Sequence, residues 1–271
     1  PLQIALSGAQ ESTYVTRTTE GVYTVIPVNG FVSWNSHGFN LTSKDTTIEQ
    51  WVNIEFVRSE DRRWQRRYLL AADRVFVMSP VPPFEKREVC MTFTVPRFAR
   101  IMNMNSHMHQ RGELFRIWAP PHTPCTGGNI FAEDVDCFPP SEDPMYLSRH
   151  YNDAVHMEFD PPLADLDDED ETTRTFKACA VFDNGADDPL EVKRNSRSLA
   201  QHNCEESFAR CGCEIAERAC VGGPNQGMLC DGEDSLCSDG GLCDACPLVG
   251  GTTTESEMFV PFGNYYVDPP E

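Results

Sequence analysis

One stretch of nine residues decides the fold class, and it reads Ile101-Met102-Asn103-Met104-Asn105-Ser106-His107-Met108-His109. Apolar and polar side chains partly alternate along it, which is typical of a β-strand with one buried face. Prolines and glycines, 20 and 18 in number, separate it from similar runs, and no long apolar stripe of helical period occurs. The similar runs, rich in β-branched and aromatic residues, are Val22–Ile26, Trp51–Val57, Val75–Met78, Val89–Val95, Leu114–Trp118, Phe176–Phe182 and Met258–Val267. The sequence therefore predicts an all-β protein of the antiparallel β-sandwich type.

Composition narrows the class of function. The 271 residues suffice for one or two hydrophobic cores. They include 22 basic and 42 acidic residues, and the formal net charge of −20 argues against nucleic acid or an anionic membrane surface as a partner. No run of about 18 apolar residues occurs, so no membrane span is predicted. The chain begins at Pro1 without the features of a signal peptide, and we expect a processed protein or a piece of a longer one.

Twelve cysteines indicate the compartment. Their even number and irregular spacing in an acidic chain favour disulfides, which form in a secreted, periplasmic or extracellular setting. Cys125 and Cys137 bracket a short loop and most simply pair with each other.

A cysteine-rich insertion is predicted from Gly185 to about Gly250, where the strand-like pattern of apolar residues stops. Eight cysteines accumulate in it while large apolar residues are scarce, so cross-links are expected to hold it. Cys243-Asp244-Ala245-Cys246 has the spacing of a zinc knuckle or a redox pair. Because its flanks lack a βαβ pattern and a second matched pair, a disulfide-bonded insertion is the favoured interpretation.

His107 and His109 are the candidate metal ligands, together with the distant Met258. Residues i and i+2 of a strand project from the same face, so the two imidazoles can reach one ion. Imidazole suits both copper oxidation states and a thioether favours Cu(I), so the set predicts a redox-active copper site. A hydrogen-bonded or exposed histidine pair without metal is the alternative.

Two motifs carry a resemblance to a known family. The stretch from Asn103 to Gly112, followed much later by Glu257-Met258-Phe259-Val260 and Gly263-Asn264-Tyr265-Tyr266-Val267, resembles the second domain of the copper type II, ascorbate-dependent monooxygenases, such as peptidylglycine and dopamine beta-monooxygenases. The resemblance implies a jelly-roll-like sandwich in which His107, His109 and Met258 bind the oxygen-activating copper. It also implies C–H hydroxylation of a small-molecule or peptide substrate, with ascorbate as the electron donor.

The resemblance extends upstream to His37, in Phe31–Thr42. His37 matches one ligand of the family's second, electron-supplying copper, whereas the adjacent His-His pair that completes that site does not occur in this chain. Completion would therefore require an upstream segment or a partner subunit. The expected organisation is a partial N-terminal β domain over residues 1–66 and a copper-binding sandwich domain over 67–271, with the insertion at 185–250.

Two cysteines also match the family, Cys90 and Cys179. The family's partner cysteine beside the copper methionine is replaced here by Phe259, so the resemblance implies that Cys179 pairs elsewhere, with the insertion as one candidate.

Three hypotheses for function follow. The first is a monooxygenase whose second copper is completed from outside these residues, because hydroxylation needs two electrons and one Cu(I) supplies one. The second is a non-catalytic copper-binding or structural subunit of an extracellular assembly. The third is a sandwich scaffold without metal.

Overall fold

The structure is a computed structural model, and it describes residues 19–26, 43–45, 47, 54–70, 80–125, 137–149, 151, 154–164, 166–195, 213–251 and 256–268. Within them the elements are β-strands and short 3-10 turns. The strands are β1 (Val22–Tyr23), β2 (Trp64–Gln65), β3 (Arg67–Leu70), β4 (Lys86–Thr94), β5 (Ala99–His107), β6 (Gly112–Trp118), β7 (Tyr146–Ser148), β8 (Met157–Leu163), β9 (Thr175–Asp183), β10 (Ala219–Val221), β11 (Leu242–Ala245) and β12 (Val260–Val267). The 3-10 turns are Ser59–Asp61, Glu171–Arg174, Pro189–Glu191, Ile215–Glu217 and Asp234–Leu236.

Two four-stranded antiparallel sheets form a sandwich, as the alternation predicts. The first sheet has the strand order β3-β12-β5-β8 and the second β4-β9-β6-β7. Their inner faces enclose one apolar core, to which β5, β6 and β9 contribute fully buried side chains such as Met104, Phe115 and Phe176. Burying each of these side chains stabilises the fold by roughly 2 kcal/mol.

Two predicted strands differ from the structure or fall outside it. Residues Ile54–Val57 of the run Trp51–Val57 form no strand, and Phe56 among them is exposed. The run Val75–Met78 lies outside the described residues. Conversely, β8 is a strand that the sequence did not predict, because it contains Pro161 and Pro162. Proline is tolerated there since β8 lies at the edge of its sheet.

Cys90 and Cys179 form a disulfide with each other. They lie directly opposite one another in the β4–β9 ladder, so register alone brings the two sulfurs together. Cys179 thus has a partner other than the family's, as expected, but that partner lies in β4 and not in the insertion, which was the suggested candidate. The predicted bridge between Cys125 and Cys137 is confirmed.

The cysteine-rich insertion is disulfide-bonded, as predicted. Residues 213–251 contain the short hairpin of β10 and β11 and three bridges, which are Cys213–Cys246, Cys220–Cys237 and Cys230–Cys243. Cys243 and Cys246 thus have different partners, and neither a redox pair nor a zinc knuckle exists at this motif. None of the cysteines that the structure describes is free.

A buried asparagine joins the insertion to the sandwich. The Asn184 amide donates to the carbonyl oxygens of Val81 and Cys246, both at 3.0 Å, and its own oxygen accepts from the Lys193 N–H at 2.9 Å. Val81 and Leu248 exchange two backbone hydrogen bonds of 2.9 Å. These contacts fix where the insertion leaves and re-enters the sandwich.

The chain enters the sandwich domain at β3. β1 and β2 pair in parallel, and the Trp64 ring lies 5.1 Å from the Tyr266 ring of β12 while its indole N–H donates to Asp268 at 2.8 Å. From Arg67 onward β3 pairs with β12, whereas the boundary at residue 66 stays a prediction because most residues before it lie outside the described part. The described part contains no helix with the length and apolar character that crossing a membrane requires.

Candidate metal centre

His107 and His109 lie on the outer face of the first sheet, at the end of β5. Met104 and Met108 point into the core, and the Ser106 hydroxyl lies 2.9 Å from the Tyr146 hydroxyl across the sandwich. Alternation therefore directs the intervening histidines to the opposite face. Their ring centroids are 5.2 Å apart with the planes at 85°, and both residues are half-buried. Two imidazoles in this arrangement can approach a common ion.

The start of β12 lies beside this pair. Val260 is directly opposite His107 in the ladder, and the Phe262 ring is 6.1 Å from the His107 ring. Phe259 points the other way, into the core, where its ring lies 5.2 Å from Phe115. Met258 lies two residues before Val260, outside β12, and the same alternation predicts that it shares the face of Val260 and His107. The end of β5 and the start of β12 thus lie side by side, and Met258 stays a predicted ligand on the face that carries the two histidines.

A tight turn follows the histidines. The N–H of Gly112 donates to the carbonyl of His109 at 3.0 Å, and the chain passes so close to Met108 that a Cβ at position 112 would lie 2.6 Å from the Met108 Cβ. Only glycine fits at this point, so the turn is built into the sequence.

A carboxylate that the sequence analysis missed holds this turn. Glu257 is fully buried, and its two oxygens accept the backbone N–H groups of His109 and Arg111, each at 2.8 Å. Burial raises the pKa of Glu257 to about 7, and the N–H donors of Arg111 and His109 partly oppose that rise. The only signal in the sequence was the position of this acidic residue directly before the predicted ligand Met258.

The neighbouring carbonyl of Ser256 sets the tautomer of the His109 imidazole. It lies 2.7 Å from Nδ1 of His109. A carbonyl oxygen only accepts, so Nδ1 carries the proton and the lone pair of the neutral ring is on Nε2. Metal-ligating histidines commonly donate their second N–H to a carbonyl in this way. The donor set of two imidazoles and a thioether thus fits a soft or borderline metal ion.

Other candidate groups fit a metal less well. In the clusters around Cys220 and Cys90 every sulfur is in a disulfide, and the one carboxylate, Glu88, pairs with Arg116. In the acidic cluster of Glu113, Asp183 and Asp187 a cation is already in place, because the Lys86 ammonium lies 2.9, 3.4 and 2.5 Å from the three carboxylates. His37, the predicted residue of a second copper site, lies outside the described residues.

Two comparisons with known proteins were negative. No protein-family model matches the chain, and no curated protein matches it significantly. The family resemblance stays a prediction that rests on the motifs around His107 and Met258.

Proposed function

We propose that the chain is an exported copper-binding protein of the copper type II monooxygenase kind, with His107, His109 and Met258 as the ligands. The observation that carries the proposal is the 5.2 Å separation of two same-face imidazole rings beside the start of β12. The Nδ1–H of His109, donated to Ser256, supports ligation through Nε2.

Each residue has a distinct role in the proposed site. Bound copper supplies redox chemistry toward dioxygen and a substrate C–H bond, and ascorbate is the electron donor that the resemblance implies. The imidazoles and the Met258 thioether offer the ligands, and the thioether favours the reduced ion. Val260 and Phe262 place apolar side chains on the β12 side of His107.

The disulfides support the proposed location. Five bridges connect described cysteines, and disulfides persist in oxidising compartments and are rare in a reducing cytosol. A secreted, periplasmic or extracellular protein is therefore proposed.

A second candidate is a non-catalytic copper-binding or structural subunit of an extracellular assembly. The absence of an adjacent His-His pair from the 271 residues favours it, because hydroxylation needs two electrons. In this case copper binds, but this chain by itself does not couple ascorbate and oxygen consumption to product. Sustained turnover by the 271-residue chain would exclude this candidate.

Copper titration tests copper binding by this chain, which both candidate functions require. Metal analysis of the loaded protein should give about one copper per chain, with sulfur scattering near the reduced ion in X-ray absorption spectra. His107→Ala and His109→Ala should each abolish tight binding. His122→Ala is the matched control, because His122 lies beyond the far end of β6. Its backbone N–H donates there to the carbonyl oxygen of Thr172. Equal copper binding by all four proteins would exclude the proposed ligands.

A further inference from the structure

Glu257 connects three separate segments at the candidate metal centre. Its carboxylate accepts the N–H groups of His109 and Arg111 in the turn after β5. Its backbone N–H donates to Val249, and its carbonyl accepts the N–H of Gly251, both at 2.9 Å. One residue therefore joins the histidine turn, the methionine segment and the last residues of the insertion.

The contacts are specific to a group with two acceptor oxygens. Each carboxylate oxygen receives one backbone N–H, and no other side-chain type of this length offers two acceptors and no donor. Hydrogen bonds from N–H groups to a carboxylate are also stronger than those to a neutral acceptor. The turn that carries His109 is consequently fixed relative to the residue directly before Met258.

We propose that Glu257 is a positioning residue of the metal centre, which holds His109 and Met258 at the separation that one ion requires. The proposal rests on the proposed function, since it assigns Glu257 a role toward the copper ligands. Glu257 itself is not a ligand, because its two oxygens face the backbone N–H groups of the turn. Ligand orientation by neighbouring hydrogen bonds commonly changes metal affinity by roughly 10- to 100-fold.

Glu257→Gln is the sharpest variant. The amide keeps the shape but presents one acceptor and one donor group, so either the His109 or the Arg111 N–H loses its acceptor. Cu(I) affinity should fall by roughly 10- to 100-fold, and the sulfur scattering from Met258 should weaken or disappear. Glu257→Asp, which retracts the carboxylate by one methylene, should give the same direction of change.

Thr175→Val is the matched control for a lost buried hydrogen-bonding group. The Thr175 hydroxyl is fully buried, donates to Glu171 and lies 2.7 Å from the Thr94 hydroxyl, at the end of β9 remote from Gly112. This variant should lower thermal stability while copper affinity and sulfur scattering stay at wild-type values. If Thr175→Val and Glu257→Gln lose stability and copper affinity in the same proportion, Glu257 has only a structural role and the proposal is overturned.

Amide hydrogen exchange of the metal-free wild type tests the positioning contact independently of copper. The amides of His109 and Arg111 should exchange as slowly as the paired amides of Val81 and Leu248. Exchange at the rate of exposed amides would overturn the proposal even if Glu257→Gln fails to fold.

The two experiments separate the possible failures. If the wild type binds no copper, the proposed function fails, while slow exchange at His109 and Arg111 still establishes the Glu257 contact. If the wild type binds copper and both Glu257 variants bind it equally well with unchanged sulfur scattering, the positioning role fails and the proposed function stands.

Discussion

The sandwich and the cysteine-rich insertion are stabilised by different means. Between the two sheets the buried groups are large apolar side chains, whereas the buried clusters of the insertion consist of four cysteines and of three smaller apolar side chains, which are Cys220, Cys230, Cys237 and Cys243 and Val192, Ala219 and Ala245. Apolar residues of the insertion such as Met228 are instead exposed. The difference indicates that packing sustains one region and covalent links sustain the other, within a single chain.

Reduction of the disulfides should separate the two regions most clearly. The three bridges of the insertion close segments whose ends are 33, 17 and 13 residues apart, and a bridge over about 15 residues contributes about 3 kcal/mol. Under a strong reductant without denaturant, residues 213–251 should lose hydrogen-exchange protection while β5 and β9 keep theirs. Persistent protection of the insertion would mean that packing, not cross-linking, sustains it.

Truncation of an apolar side chain should destabilise the sandwich far more than the insertion. Phe176→Ala removes a fully buried ring that stacks 5.3 Å from Phe93, and we expect the free energy of unfolding to fall by about 3–5 kcal/mol in urea titrations. Met228→Ala, at an exposed position of the insertion, should change it by less than about 0.5 kcal/mol. Similar losses from the two truncations would contradict the contrast between the regions.

Removal of the Asn184 hydrogen bonds, which join the insertion to the sandwich, should have an intermediate effect on stability. Asn184→Ala leaves the carbonyls of Val81 and Cys246 and the N–H of Lys193 without this partner, which should cost about 1–3 kcal/mol. Hydrogen exchange should accelerate at Leu248 before it does in the core strands. A uniform acceleration over the whole protein would show that the two regions unfold together.

A surface ion pair of the sandwich should have the smallest effect. The pKa of Asp167 is lowered by its hydrogen bonds to Arg100, and both side chains are partly exposed, so Asp167→Asn should cost less than about 1 kcal/mol at neutral pH. Because the folded-state pKa lies below the unfolded value, the contribution is present above the ordinary aspartate pKa and is lost as the pH falls through the folded pKa. Urea titrations at a series of pH values should therefore show a difference between variant and wild type at pH 7 that shrinks as the pH falls below the ordinary aspartate pKa.

The sandwich could be predicted because the alternation of apolar and polar side chains is visible within each single strand. β5, β6, β9 and β12 each lie within one or two residues of their predicted runs. It did not predict β8, whose prolines oppose strand formation everywhere except at an edge. The strand prediction at Ile54–Val57 was wrong, because β-branched residues occur there in an exposed segment that has no buried face.

The candidate site was predictable only in part. His107 and His109 could be paired from their spacing alone, because two residues of one strand share a face. The role of Glu257 could not, since an acidic residue is ordinarily solvated and its burial depends on contacts with a turn far away in the chain. Cys179 shows the same limit, because its pairing with Cys90 depends on the register of β4 against β9.

The strand order of the first sheet has a consequence for how the protein is made. β12 lies between β3 and β5, and Glu257, three residues before its start, is 148 residues from His109. Closing so long a loop costs entropy and is slow, so β5 can pair with β12 only after residues 260–267 have been synthesised. During synthesis, both imidazoles are made long before the Met258 thioether. In the proposed site, capture of a metal by His107, His109 and Met258 together would report that β12 has docked, and a chain truncated before Met258 would lack one of the three proposed ligands.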